Sequence, residues 1–368
     1  MKYFACAQCK NQVFFEHSIC EHCQITLGYA AVEKEVVSFE KKSDQLWTAL
    51  NPNFQITSFK PCYNYLHYQS CNWVIPADSE QMYCESCQLT HIIPDLSIPQ
   101  NIIYWARLEK AKRRFLYLAQ RMNMMPRPKR HDQDVYGLRF NFLMPVDGQP
   151  VMTGHASGLI TLNASEADVV HRETTRESMG ENYRTLLGHF RHESGHYYFD
   201  VMQYLHPELL EEFRLYFGDE RQDYSAALNR HYEQGPPHNW QDNFISSYAT
   251  AHPWEDWAET WAHYLHMMET LETAYYATLR VEGNGSTLKP MAFKESPIGG
   301  QDFEHILENW ITLTFNLNAL NRSMGLEDAY PFKLPETVKD KLRFIHRHVL
   351  EKAFSSRETL STNLSVQS

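Results

Sequence analysis

His192-Glu193-Ser194-Gly195-His196 is the stretch from which the fold of this 368-residue chain is read. It is an H-E-x-x-H pattern. On a helix, residues four apart stack on one face, about 6 Å apart along the axis. Two imidazoles so placed can share one Zn²⁺, and the intervening Glu reaches a water on that metal. Zinc acidifies the water, and a carboxylate beside it accepts the proton. The chemistry therefore requires a helix, and the flanking sequence supplies one. From about Asn182 to Leu205, Tyr183, Leu186, Leu187, Phe190, Tyr197, Tyr198 and Val201 recur at helical spacing, and Pro207 stops the run. Gly188 and Gly195 cost helix propensity, which close packing against a strand layer would explain.

Two His leave a catalytic zinc short of a third protein ligand. The extended pattern H-E-x-x-H-x-x-G-x-x-H is excluded, because Phe199 and Met202 stand at its Gly and third His. His206 ends the helix beside Pro207 and should point away. The better source is Tyr248 to Glu259, which opens a helix predicted over Trp254–Leu271. Glu-x-x-x-Glu puts Glu255 and Glu259 on one face. Glu255 is expected to bind zinc, and Glu259 to hydrogen-bond a ligand His and fix its tautomer. This is the gluzincin arrangement. A solvated charge is the alternative for Glu259, weakened by Trp254, Trp257 and Trp261 around it. Tyr248 either donates to a developing oxyanion or packs as a core phenol. His189 is expected to support the metal site as a buried polar partner. Among His155, His252, His263 and His266, His252 is the one expected to reach the cleft.

All eight cysteines lie in the first quarter of the chain. Cys6-x2-Cys9 and Cys20-x2-Cys23 form two knuckles whose thiolates converge on one tetrahedral metal, zinc or, as the alternative, iron. Lys10 and Gln24 stand where Gly often follows the second Cys. Cys62, Cys71, Cys84 and Cys87 are expected to hold a second structural zinc, the alternative being free thiols. Four thiolates close the coordination shell, so neither site is catalytic. The expected metals are thus one catalytic and two structural Zn²⁺.

The formal net charge is −11, divided as −4 over residues 1–106, +8 over 107–130 and −15 over the rest. The acidic bulk argues against generic nucleic-acid binding. The basic run Arg107–Arg130 is read as a solvated helix face. No apolar run is long enough for a membrane span, so no membrane partner is expected. MKYFACAQCK lacks a signal-peptide core, which makes the cytoplasm the default.

Ser43–Lys60, with Asn51-Pro52-Asn53, reads as a linker and turn region. Helices are expected over Ile102–Met122, Glu304–Asn318 and Val338–Phe354, and strands over Leu138–Leu143 and Gly158–Asn163. Ser165 reads as an N-cap, Asn229–Gln241 as a loop and Ser355–Ser368 as a disordered tail. The domains drawn from this are a double zinc ribbon (1–98), a basic connecting helix (99–130), a zincin-like domain (131–354) and the tail (355–368).

Several stretches together resemble the bacterial zinc-binding metallopeptidases that carry an N-terminal double zinc ribbon. They are Ser70-Cys71-Asn72-Trp73, Trp105–Phe115, Thr153–Glu166, Tyr183–Asp200 and Tyr248–Leu265. The resemblance spans about residues 3–350. It implies an α+β zincin-like fold, a small sheet plus mostly helices, behind a small four-cysteine zinc-ribbon module. It implies a gluzincin-like third ligand and no particular substrate. Glu255-Asp256-Trp257-Ala258-Glu259 also looks like the helix of some toxin metalloproteases, in which a Glu binds zinc and an upstream Tyr assists. The expected activity is peptide hydrolysis on a peptide or protein substrate, with Glu193 as general base. Two alternatives stand beside it. One is a zinc-ribbon adaptor for protein or nucleic acid with a vestigial or regulatory metal site. The other is a DNA-associated protease, which only Arg107–Arg130 favours.

Overall fold

The computed structural model describes residues 1–51, 53–146, 149–282, 288–300 and 302–354. The expected disordered tail and Pro52 of the expected turn lie outside the described residues.

Strands β1 (Phe4–Ala5) and β2 (Gln12–Val13) pair across the first Cys knuckle. In each knuckle the chain turns back on its first Cys. The Lys10 N–H donates to Cys6 O at 2.9 Å, and the Gln24 N–H to Cys20 O at 2.8 Å. Both residues take a left-handed φ, +63° and +61°. The turn that favours Gly is therefore kept without it.

Ser43–Lys60 is not a linker. Strands β3 (Thr26–Ala30), β4 (Glu35–Ser43), β5 (Leu46–Ala49), β6 (Ser58–Pro61) and β7 (Trp73–Pro76) close into a small barrel. Val37, Phe39, Trp47, Phe59 and Val74 fill it. Strands β5 and β6 have four residues each. So few positions show no alternation in sequence, and their apolar partners come from other strands. Helix α1 (Tyr63–Tyr68) follows Cys62, and β8 (Thr90–Ile92) follows Cys87.

Helix α2 (Pro99–Arg121) carries the basic run, and its solvated face is a misreading. Lys112 and Arg113 are buried. Lys112 pairs with Glu109 at 2.8 Å, Arg114 with Glu16 at 2.8 Å and Glu269 at 2.7 Å, and Arg121 with Glu272 at 2.9 Å. A charge this deep needs a partner. Here most partners are far away in sequence, so the run looked solvent-facing. The helix lies between the barrel and the rest of the chain: the Gln120 amide donates to Ala31 O at 3.0 Å and accepts from the Tyr29 hydroxyl at 2.6 Å.

A small sheet follows, from β9 (Arg127–Pro128), β10 (Gly137–Leu143), β11 (Gly154–Ala156) and β12 (Leu159–Asn163). Its order is β11-β12-β10-β8, with β9 also on β10. Ser157 and Gly158, at φ +48° and +77°, form the two-residue turn between β11 and β12. A Cβ on Gly158 would stand 2.3 Å from Gly137 O. Strand β12 lies inside the sheet, and β11 and β8 are its outer strands.

Helix α3 (Val169–Ser178) is capped by Asp168, not by Ser165, which sits in a preceding 3₁₀ turn capped by Asn163. Helix α4 (Leu186–Leu205) carries the HExxH and is capped by Thr185. Helices α5 (Leu209–Phe217) and α6 (Tyr224–Gln234) have no counterpart in the sequence reading. Helix α6 buries only Ala227, so it shows no apolar stripe, and it occupies part of the segment read as a loop. Helices α7 (Pro253–Tyr276), α8 (Phe303–Ser323) and α9 (Glu336–Leu350) complete the chain.

Helices α4 and α7 cross in close contact. A Cβ on Gly195 would sit 2.9 Å from Ala258 Cα and 3.3 Å from Trp261 Cβ. Gly195 thus serves packing between helices rather than against strands, and Gly188 faces the Thr185 cap and Tyr183. The Trp257 indole N–H donates to Gly195 O at 2.7 Å, and that of Trp261 to Ser194 Oγ at 3.2 Å. Gly195→Ala is expected to force α4 and α7 apart and to lower stability by about 1–3 kcal/mol, the usual range for overpacking. Thermal melting beside wild type checks this, and an unchanged melting temperature contradicts it.

Candidate metal centre

The α4–α7 crossing sets the HExxH face of α4 against the first two turns of α7. Glu255 Oε2 lies 3.1 Å from His192 Nε2 and 3.5 Å from His196 Nε2. One ligand atom from each residue falls within 4.8 Å of the other two. Glu255 Oε2 is buried, yet no donor is aligned to hydrogen-bond it among the described residues. Three donor atoms that converge without bonding one another suit a cation between them. Two imidazoles and a carboxylate are the donor set of a catalytic zinc.

Burial alone would raise the Glu255 carboxyl pKa. The His196 and His192 rings outweigh it and hold the group well below the usual carboxylate range. An ionised carboxylate is the form that can bind a metal.

His192 Nδ1–H donates to Glu259 Oε1 at 2.6 Å, and the Ser246 hydroxyl donates to Glu259 Oε2 at 2.7 Å. His192 Nε2 is the nitrogen turned to Glu255. The Trp254 ring lies 4.0 Å from the His196 ring. Glu193, between the two His, is buried, and its Oε2 has no partner among the described residues.

Tyr248 sits in the short turn before α7, its ring 6.0 Å from His192 and 6.0 Å from His231. Burial, then the charge of Glu255, raises its pKa, so it is a protonated donor. His189 does not touch the centre; it pairs with Glu166 Oε2 at 3.1 Å, beside Arg184. His252 does not reach the cleft either. It caps α7, with Nδ1 accepting the Trp254 N–H at 3.0 Å. His206 pairs with Glu208 at the helix end. His263 meets the Tyr330 hydroxyl at 2.8 Å, and His266 packs on Trp310 and Tyr183.

Two contributors were not read from the sequence. The Tyr224 hydroxyl donates to Glu255 Oε1 at 2.6 Å. Asp200, four residues after His196, lies 4.0 Å from His155 Nδ1. Burial raises Asp200 to about 6, and burial, then His196, lowers His155 to about 3. An Asp one turn beyond the second His is legible as a helix-face neighbour. Tyr224, on a helix without an apolar stripe, is not.

The cysteines form two further groups. Cys6, Cys9, Cys20 and Cys23 make one, and Cys62, Cys71, Cys84 and Cys87 the other. Sγ–Sγ separations of 3.6 Å for Cys6–Cys23 and Cys9–Cys20 and 3.7 Å for Cys71–Cys84 fit a tetrahedron. Four thiolates about 2.3 Å from a shared zinc would stand about 3.8 Å apart. Metal analysis of the purified chain is expected to give about three zinc for wild type and about two for His196→Ala, one having gone with its ligand. Two zinc in wild type would contradict the third site.

The family described as "Putative zinc-binding metallo-peptidase" matches residues 101–348, and a zinc-ribbon domain matches residues 3–98. Uncharacterized proteins of Mycobacterium bovis and of two Mycobacterium tuberculosis strains are each 40% identical over 353 residues, 96% of this chain and 96% of theirs. No solved structure matches the chain. With most of its length matched, and with zinc-type donor sets in both parts, the chain belongs to the zinc-binding metallopeptidase family with an N-terminal zinc ribbon.

Proposed function

We propose that the protein is a zinc-dependent peptidase of the gluzincin type, with His192, His196 and Glu255 as the zinc ligands. The observation that carries the reading is the convergence of His192 Nε2, His196 Nε2 and Glu255 Oε2, with buried Glu193 between the two His and its Oε2 without a partner among the described residues. Zinc held there supplies Lewis acidity, which acidifies water and polarises a peptide carbonyl. Glu193 takes the proton of the attacking water and returns it to the leaving amine. The Tyr248 phenol donates to the developing oxyanion. Glu259 holds His192 in the tautomer a ligand needs. Strand β11, at the sheet edge, offers backbone groups to an extended peptide.

The cysteine sites are structural in this reading, one zinc in each. Thiolates without disulfides suit a reducing cytoplasm. Among the described residues no helix is long and apolar enough to cross a membrane. The basic run that favoured DNA is largely paired with carboxylates of the chain itself.

Glu193→Gln tests the mechanism. The variant is expected to keep all its zinc and to lose about 10²–10⁴-fold in the rate of peptide-library cleavage, the usual contribution of general acid–base catalysis. Cleavage at the wild-type rate by the zinc-loaded variant sinks the assignment.

A further inference from the structure

We propose that Tyr224 is a positioning residue that divides the Glu255 carboxylate, holding one oxygen so that only the other faces the metal. The inference rests on the metal site proposed above. Tyr224 opens α6, whose cap is Asp223, accepting the Ala226 N–H at 2.9 Å. From there its hydroxyl donates to Glu255 Oε1 at 2.6 Å. A short hydrogen bond to a carboxylate is of the strong, charge-assisted kind. Oε2, the other oxygen, is the one that faces both His Nε2 atoms.

The phenol is itself held in place. Its ring meets His252 at 5.3 Å and Trp254 at 5.5 Å, both edge to face. Those two residues begin the helix that carries Glu255, and Trp254 also covers the His196 ring. Hydroxyl, carboxylate and imidazole are thus tied to one turn of α7. The rest of α6 contributes little to the core, since only Ala227 is buried. The place of this helix over the site is better explained by Tyr224 than by packing.

Partners of this kind commonly change metal affinity ten- to a hundredfold. A carboxylate without its Tyr224 bond is free to rotate, and both oxygens can then compete for the metal. His192 already has Glu259 as its support, and Tyr224 does the same for Glu255. Tyr248, on the His192 side, makes no hydrogen bond to the Glu255 carboxylate among the described residues and is left for substrate.

The test is Tyr224→Phe in the full chain, with the cysteine sites filled with zinc. The dissociation constant of the third zinc, read by competition with a chromophoric chelator, is expected to rise about 10–100-fold. The melting temperature and the two cysteine-bound zinc should not move. Tyr248→Phe should change the same constant by less than about twofold. Co²⁺ placed in the third site supplies a second readout. Its d–d absorption should weaken in Tyr224→Phe, as the freed oxygen raises the coordination number. A third-zinc constant within about twofold of wild type in Tyr224→Phe overturns this inference and leaves the metal site standing. A wild-type chain that takes up no third zinc overturns both.

Discussion

The contact between Gly195 and Ala258 is the constraint on which the rest of the centre depends. A residue without a side chain lets α4 and α7 approach until a Cβ would meet Ala258 Cα at 2.9 Å. Two indole N–H groups then bond across the crossing, to Gly195 O and Ser194 Oγ. The Gly lies within the HExxH, one residue before His196. The same packing that joins the helices therefore sets both imidazoles against Glu255 and Glu259. A wider crossing would leave His192 and Glu259 beyond hydrogen-bond reach, and would draw Glu255 Oε2 away from the two His Nε2 atoms.

Buried charge ties the N-terminal part to this frame. Glu269 receives Arg191 from α4 at 2.7 Å and Arg114 from α2 at 2.7 Å, and Arg114 reaches back to Glu16. Arg191 is the residue before His192. A chain of ion pairs thus runs from beside the first cysteine group to the helix of the metal centre. Leaving Arg191 or Glu269, both buried, without the other costs about 3–5 kcal/mol. The zinc ribbon is accordingly docked onto the second part through α2, rather than hung from a linker. The basic helix looked like a surface because only Glu109 among its partners is local.

Much was legible in the chain alone where the signal was local. The apolar spacing around the HExxH marked α4, and the Trp-rich run marked α7. The i, i+4 spacing put Glu255 and Glu259 on one face, and both lie against His192 in the fold. The cysteine spacings grouped as read. Three readings failed. The barrel strands β5 and β6 are too short to show a period, α6 has one buried residue, and Ser165 lost its capping role to Asn163 and Asp168. His189 and His252 were placed near the metal by proximity in sequence. His189 instead pairs with Glu166, and His252 caps α7, where its ring packs on Tyr224.

Periodicity and ligand spacing specified α2, α4, α7, α8 and α9, the two thiolate groups and the pair of His, because each depends on a pattern local in sequence. The assembly of the centre did not follow from them. Glu259 meets His192 across 67 positions of sequence, and Tyr224 meets Glu255 across 31. Such pairs exist only once α4, α6 and α7 are packed, since a hydrogen bond needs its partners within about 3 Å and no local pattern encodes that approach.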